Sequence, residues 1–166
     1  MFNFKDKSVL ISGTAKGCGS VIAKTFAEQG PKVAGCDLND AGGKETPAIV
    51  EAAGTEGLDM RADVSKEEGI KAFVDATVGR FGGLDIAVNN AAIEGTGDRL
   101  DSTAEIFDRM CALNQRGAFL CMKYEVEAMR KSGGGAIVNK TSIAGDRTGA
   151  PDRGLYTATK GGLIGL

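Results

Sequence analysis

Short apolar runs alternate with longer amphipathic stretches along this 166-residue chain. Val9-Leu10-Ile11, Val33-Ala34-Gly35-Cys36, a weaker run over 58–61, the run over 84–88 and Ala136-Ile137-Val138 are too short for helices. They lack the strict alternation of a half-exposed strand and read as strands of a sheet covered on both faces. The stretches between them carry the spacing of helices packed on such a sheet.

The first helix is predicted over 18–29, opening from a glycine-rich turn and closed by Gly30 and Pro31, stop signals in the right order. Gly42, Gly43 and Pro47 interrupt the second, and Thr46 as cap with Pro47 in the first helical position restores a short version. Ser65 and Glu68 form a capping box ahead of the stripe Ile70, Phe73, Val74, Thr77 and Val78. Ser102 and Glu105 repeat the device before Ile106, Met110 and Leu113, and a further helix carries Phe119, Met122, Val126 and Met129 up to Gly133-Gly134-Gly135. Most of these apolar side chains are predicted to be core. Without repeats, low-complexity tracts or a linker, 1–166 reads as a single domain.

This alternation predicts an α/β fold with an open, doubly wound parallel sheet and right-handed crossovers. Its ligand crevice lies at the carboxyl ends of the strands where the strand order reverses. Ser12-Gly13-Thr14-Ala15-Lys16-Gly17-Cys18-Gly19 falls at such a strand end. Its Gly-x-x-x-Gly-x-Gly spacing lets the backbone approach a diphosphate held at the helix N-terminus, although glycine turns also serve packing alone. Asp37 closes the second strand, where a carboxylate accepts hydrogen bonds from adenosine ribose hydroxyls and repels a 2′-phosphate, favouring NAD over NADP. Lys16, beside the turn, pulls the other way if it pairs with a 2′-phosphate, and is otherwise solvated.

Composition narrows the classes. A net charge of -2 with scattered lysines and arginines leaves no basic field for nucleic acid. With 25% charged residues the chain is too polar in its gaps for a membrane protein. The first seven residues have no room for a signal peptide's hydrophobic region, so a cytoplasmic location is the default expectation. Cys18, Cys36, Cys111 and Cys121 form no Cys-x-x-Cys pair and the chain has no histidine, so they are expected to be buried or half-buried thiols.

Without histidine, a proton shuttle has to come from elsewhere. Tyr156 and Lys160, four residues apart, share one face of a helix, so an ammonium can lie beneath a phenol and stabilise its anion. A free phenol titrates at about 10. The ammonium and the positive charge of an oxidised nicotinamide lower that value, letting Tyr156 take a proton near neutral pH while hydride leaves for the cofactor. Taken singly, a Tyr-x-x-x-Lys pair is common on helix surfaces and Ser142 suits a turn or cap. In order along the chain stand the glycine turn, Asp37, Asn89-Asn90-Ala91-Ala92, Asn114, Ser142 and Tyr156/Lys160. With that set the chain resembles the short-chain dehydrogenase/reductase family from the first strand to Leu166.

The resemblance implies a three-layer Rossmann-like fold with strand order 3-2-1-4-5, and an oxidoreductase using NAD or, less readily, NADP on alcohols and ketones. Tyr156 is then the general acid/base, and Lys160 holds the nicotinamide ribose and depresses the tyrosine pKa. Ser142 binds the substrate oxygen, and Asn114 positions a water linking Lys160 to solvent. Asp63 contacts adenine, Asn90 supports the strand end beside the cofactor, and Gly13, Lys16, Gly17, Gly19, Asp37, Val64 and Ala91 complete the cofactor site. A homo-oligomer, dimer or tetramer, is implied through the fifth and sixth helices.

The chain departs from the family pattern at Ala92 (usually glycine), at Ser12 (usually threonine) and in a Ser142-to-Tyr156 interval one residue longer than common. The extra residue is expected to bulge in the charged loop over 146–153, which lines the substrate entrance. Family members also continue past the helix that begins near Tyr156 into further strands and a substrate-covering loop. The C-terminal part of the family fold is therefore expected to be missing. The rival readings are a non-catalytic dinucleotide-binding or interaction domain without a closed pocket, and a Rossmann-like methyltransferase, which leaves Tyr156/Lys160 unexplained.

Overall fold

Strand β1 (Ser8–Ser12) is buried at every position because it lies in the middle of the sheet. It pairs with β2 (Lys32–Asp37) on one side and β4 (Ile86–Asn89) on the other. Outside these lie β3 (Gly57–Arg61) and β5 (Ala136–Asn139). The order is β3-β2-β1-β4-β5, all parallel, as the family resemblance implies. The computed structural model describes residues 3–39, 45–95, 102–147 and 152–166, with the backbone alone at 45 and 46.

Alternate residues of each strand feed two cores. Val9, Ile11 and Val33 pack with Ala23 and Ala27 of α1 (Gly17–Ala27) and Val50 of α2 (Glu45–Ala52). Leu10, Ala34 and Ala87 pack on the opposite face with Phe73 of α3 (Glu67–Phe81) and Met129 of α5 (Ala118–Lys131). Each fully buried large side chain contributes about 1.5–3 kcal/mol, so both faces hold the sheet firmly. The sheet order reverses beside β1, and the carboxyl ends of β1 and β4 open there into a cleft.

Helix ends differ from expectation where local signals compete. Ser65 does not cap α3. It is drawn back to Asp63, whose Oδ1 accepts from its N–H and hydroxyl, and Lys66 becomes an N-cap without a side-chain bond. The next helix, α4 (Ala104–Cys111), is capped by Thr103 rather than Ser102, its Oγ1 accepting from the Ile106 N–H. Helix α2 starts at Glu45, so Pro47 lies inside the first turn, where a missing N–H leaves no bond unmade. Gly42 and Gly43, taken as interruptions of that helix, lie outside the described residues. Strand β4 begins at Ile86, two residues late, because Leu84 N–H is taken by Ser132 Oγ and the Asp85 carboxylate holds Ser8 N–H.

The predicted core stripe of α5 is rotated. Cys121, Glu125, Ala128 and Met129 face inward, while Phe119 is 51% exposed and Val126 also reaches solvent. On α4, Ile106 is exposed as well, and Met110 is the buried member. The reason is that α5 is apolar on two faces, and periodicity alone does not say which one meets the sheet. Between α4 and α5 the rod passes through a π-helical segment, Ala112–Gly117, that sequence patterning does not reveal. Cys36 and Cys121 are buried and Cys111 is half-buried, but Cys18 is exposed on the first turn of α1, beside the cleft.

Candidate active site

The cleft has a volume of about 690 Å³ and runs from Asp37 past the glycine turn to Tyr156. Gly13 and Gly17 have φ of 75° and 62°, the left-handed region that side chains disfavour. Gly19 answers to packing instead: a Cβ there would stand 1.8 Å from Gly13 O. The turn is anchored from below by Asn90, whose Nδ2 donates to Ser12 O at 2.9 Å and Gly13 O at 3.0 Å. Ser12 Oγ accepts from the Asn90 and Ala91 N–H groups, so serine does at this position what the strand end requires. Helix α1 opens at this turn with no side-chain cap and no acidic residue in its first turn. Its free N–H groups and dipole suit an anion, and Lys16 at the N-cap lines the same cleft.

Asp37 lies at the far end of the cleft. Its Oδ2 accepts from Ala15 N–H and its Oδ1 from Asn39 N–H, both at 3.0 Å. Each oxygen keeps a lone pair for a hydroxyl. Val64 and Ala91 line the cleft wall. Asp63 turns one carboxylate oxygen toward Ser65, and it is its neighbours Ala62 and Val64 that line the cleft.

The opposite end is built on β5 and α7 (Gly154–Ile164). Lys160 is only 3% exposed. Its Nζ donates to Lys140 O at 2.7 Å and stands 6.0 Å from the centre of the Tyr156 ring. Burial, and then the neighbouring Lys140 charge, lower its pKa to about 8. Ser142 caps the short helix α6 (Ile143–Asp146), its Oγ accepting from Ala144 N–H at 3.2 Å, and that bond leaves the hydroxyl proton to donate.

Asn114 sits in the π-helical segment, buried, and the widened turn aims its amide at two elements. Nδ2 donates to Ile93 O and Thr159 Oγ1, and Oδ1 accepts from Ile93 N–H. Both of its donors are therefore committed to protein. Beside it a small, partly open space of about 10 Å³, the size of one water, touches Lys160, Ser12 and Asn89.

Several residues of this site escaped sequence reading. Lys140 lines the cleft and donates from Nζ to Asn90 Oδ1 at 3.2 Å, joining the two ends of the site. Thr159 bridges Asn114 to Tyr156 O. Gly145 lets α6 press on α7, since a Cβ there would lie 2.6 Å from Gly161 N. A lysine two residues before Ser142 was the one signal available. Of the charged loop over 146–153, residues 148–151 lie outside the described residues, including any bulge. Asp146 pairs with Arg147, and Arg153 pairs with Glu94.

A family model described as enoyl-(acyl carrier protein) reductase matches residues 13–166. The chain is 44% identical to an uncharacterized oxidoreductase of Thermotoga maritima over 99% of its own length and 64% of the relative's. It is 39% identical to levodione reductase of Leifsonia aquatica over 98% and 62%. The crystal structure of a levodione reductase superposes with a TM-score of 0.94 at 37% identity, covering 99% of this chain and 64% of that one. That of NAD+-bound xylitol dehydrogenase gives the same TM-score at 31% identity, covering 99% and 64%. The chain belongs to the short-chain dehydrogenase/reductase family. It spans a little under two thirds of the length of the relatives it matches.

Proposed function

We propose that this chain is the dinucleotide-binding and catalytic portion of an oxidoreductase that moves a hydride between NAD(H) and a secondary alcohol or ketone. The observation that carries this reading is the buried Lys160 ammonium close to Tyr156, at one end of a cleft whose other end is the uncapped α1 turn and Asp37. A dinucleotide fits that cleft by charge and shape: glycines where side chains would intrude, free helix N–H groups for the diphosphate, and a carboxylate for the ribose.

In the proposed mechanism Gly13, Lys16, Gly17, Gly19 and Asn90 shape and line the diphosphate site. Asp37 holds the adenosine ribose and disfavours a 2′-phosphate, and Asp63, Val64 and Ala91 flank the adenine and the strand end. Nicotinamide supplies the hydride acceptor or donor when bound. Ser142 donates its hydroxyl proton to the substrate oxygen. Tyr156 accepts or returns the alcohol proton, helped by the Lys160 ammonium, which is charged below about pH 8. Asn114 holds the wall of the water-sized space behind Lys160, through which a proton reaches solvent.

The partner is a small-molecule alcohol or ketone. A second copy of the chain is also proposed: Phe119 exposes apolar surface on α5, the fifth helix, and Phe107 adds to it from α4 rather than from the sixth helix. Among the described residues no helix is long and apolar enough to cross a membrane. The deciding experiment titrates NADH and NADPH against the protein by nicotinamide fluorescence, then assays NAD-dependent oxidation across secondary alcohols. NADH binding tighter than NADPH, with Tyr156-dependent turnover, supports the reading. Equal or tighter NADPH binding removes the Asp37 assignment, and dinucleotide binding without turnover in any Tyr156-competent form favours the rival binding-domain reading.

A further inference from the structure

Glu125 points from α5 into the interior and is completely buried, and among the described residues no cation lies beside it to justify a charge. Its Oε2 accepts from Asn89 Nδ2 at 3.0 Å. The same Nδ2 donates its other hydrogen to Asn139 Oδ1 at 3.0 Å, and Asn139 Nδ2 approaches Met122 Sδ. In this orientation the Asn89 amide spends both of its hydrogens, on Glu125 Oε2 and Asn139 Oδ1. Of the described residues' buried side-chain atoms without a partner, two lie in this cluster: Glu125 Oε1 and Asn89 Oδ1. They belong to the two groups already joined, and both are acceptors.

We propose that Glu125 is a positioning residue held as the neutral carboxylic acid, donating from Oε1 to Asn89 Oδ1 and closing a reciprocal acid–amide ring that locks the ends of β4 and β5. A buried, unpaired carboxylate oxygen is costly, and protonation removes that cost together with the Asn89 orphan. Burial pushes the Glu125 carboxyl up to about 7, against the opposing pull of the Asn89 hydrogen bond. Among the described residues the groups around it offer no counter-charge. Asn89 faces it from β4 and Asn139 is joined through Asn89 on β5, while α3 meets it across an apolar core. On its own helix Cys121 is a thiol held well above its ordinary value by burial. Lys160 lies beyond the small space that Asn89 and Cys121 also line.

The position of the ring gives it its role. Asn89 and Asn139 are register partners at the last rung of β4 and β5. The next residue on one strand is Asn90, which anchors the glycine turn, and on the other Lys140, whose carbonyl holds Lys160 Nζ. A neutral Glu125 thus fixes the spacing between the two halves of the cleft. Its effect on dinucleotide binding rests on the function proposed above, whereas the protonation state does not.

The test compares wild type, E125Q and E125A by infrared difference spectroscopy, thermal unfolding from pH 4 to 9 and NADH titration. Glutamine reproduces the neutral acid's donor and acceptor, so E125Q should fold and bind NADH within about twofold of wild type. A raised carboxyl pKa stabilises the fold at low pH. That advantage fades as pH rises from 4.5 to about 7, so the stability of E125Q relative to wild type should rise over that window and level off above it. The infrared difference at pH 5.5 should contain a protonated carboxyl band that E125Q lacks. A carboxylate band there instead, or E125Q as damaging as E125A, would overturn the proposal. Should E125A fail to fold, the wild-type spectrum and E125Q still decide. Wild type that binds no NADH refutes the proposed function and the positioning role together, leaving the spectrum to decide the protonation state.

Discussion

At the Asp37 end of the cleft the groups on offer are mostly main-chain: N–H groups of α1 and glycines that keep side chains out. At the Tyr156 end they are buried polar side chains drawn from the π-helical segment, β5 and α7. The first end is defined by shape, set by the glycines, the Asn90 amide beneath them and one carboxylate. The second is defined by charge, because Lys160 is desolvated and its neighbours decide whether it stays ionised. Binding and chemistry should therefore respond to different perturbations.

The sharpest separation is expected from Tyr156→Phe. Removing one phenolic oxygen should lower turnover by about 10²–10⁴-fold, the range of general acid–base catalysis, with NADH affinity unchanged. Steady-state rates beside a binding titration test it, and a matching loss of affinity would merge the two ends. Gly19→Ala attacks the other end. Its Cβ would meet Gly13 O at 1.8 Å and Asn90 Nδ2 at 2.7 Å, so the turn must shift. A stability loss of about 1–3 kcal/mol is expected by thermal unfolding, with dinucleotide binding abolished. An unchanged melting curve and affinity would show that the turn is plastic.

Asp37→Ala should leave turnover chemistry alone and relax the NAD preference over NADP by about 1.5–3 kcal/mol, the scale of a charged hydrogen bond. It also removes the carboxylate that accepts from the Ala15 and Asn39 N–H groups, so a small stability loss accompanies it. The smallest effect concerns Lys140→Met. Lys160 is charged below about pH 8 and loses its ammonium as pH rises through that value; burial and then Lys140 keep it there. Removing the Lys140 charge should move the alkaline limb of the activity profile to higher pH while burial still holds it below that of a free lysine. An unmoved limb would mean the two ammonium groups are screened from each other.

The glycine turn was legible because its requirement is local: positive φ and absent Cβ atoms can be read from spacing. Tyr156 and Lys160 were legible because a four-residue interval sets two side chains on one helix face. Ser65 and Ser102 misled because two polar side chains competed for each helix end, and geometry chose Asp63 to hold Ser65, and Thr103 as cap in place of Ser102. The face of α5 was missed because its apolar residues lie on two sides, and only packing selects one.

By itself the sequence determined the alternation of strands and helices, the turn at Gly13 to Gly19 and the carboxylate that ends β2. Each of these rests on backbone sterics or periodicity within a few residues. Only the tertiary structure decided that Asn90 lies beneath that turn, 77 residues from Gly13, that Asn114 reaches Thr159 across 45, and that Glu125 and Asn89 share one buried pair across 36. Those contacts depend on which strands become neighbours and how a π-helical segment rotates a side chain. The free energy that settles them is the burial of whole faces and the satisfaction of polar groups far apart in the chain, which no local pattern records.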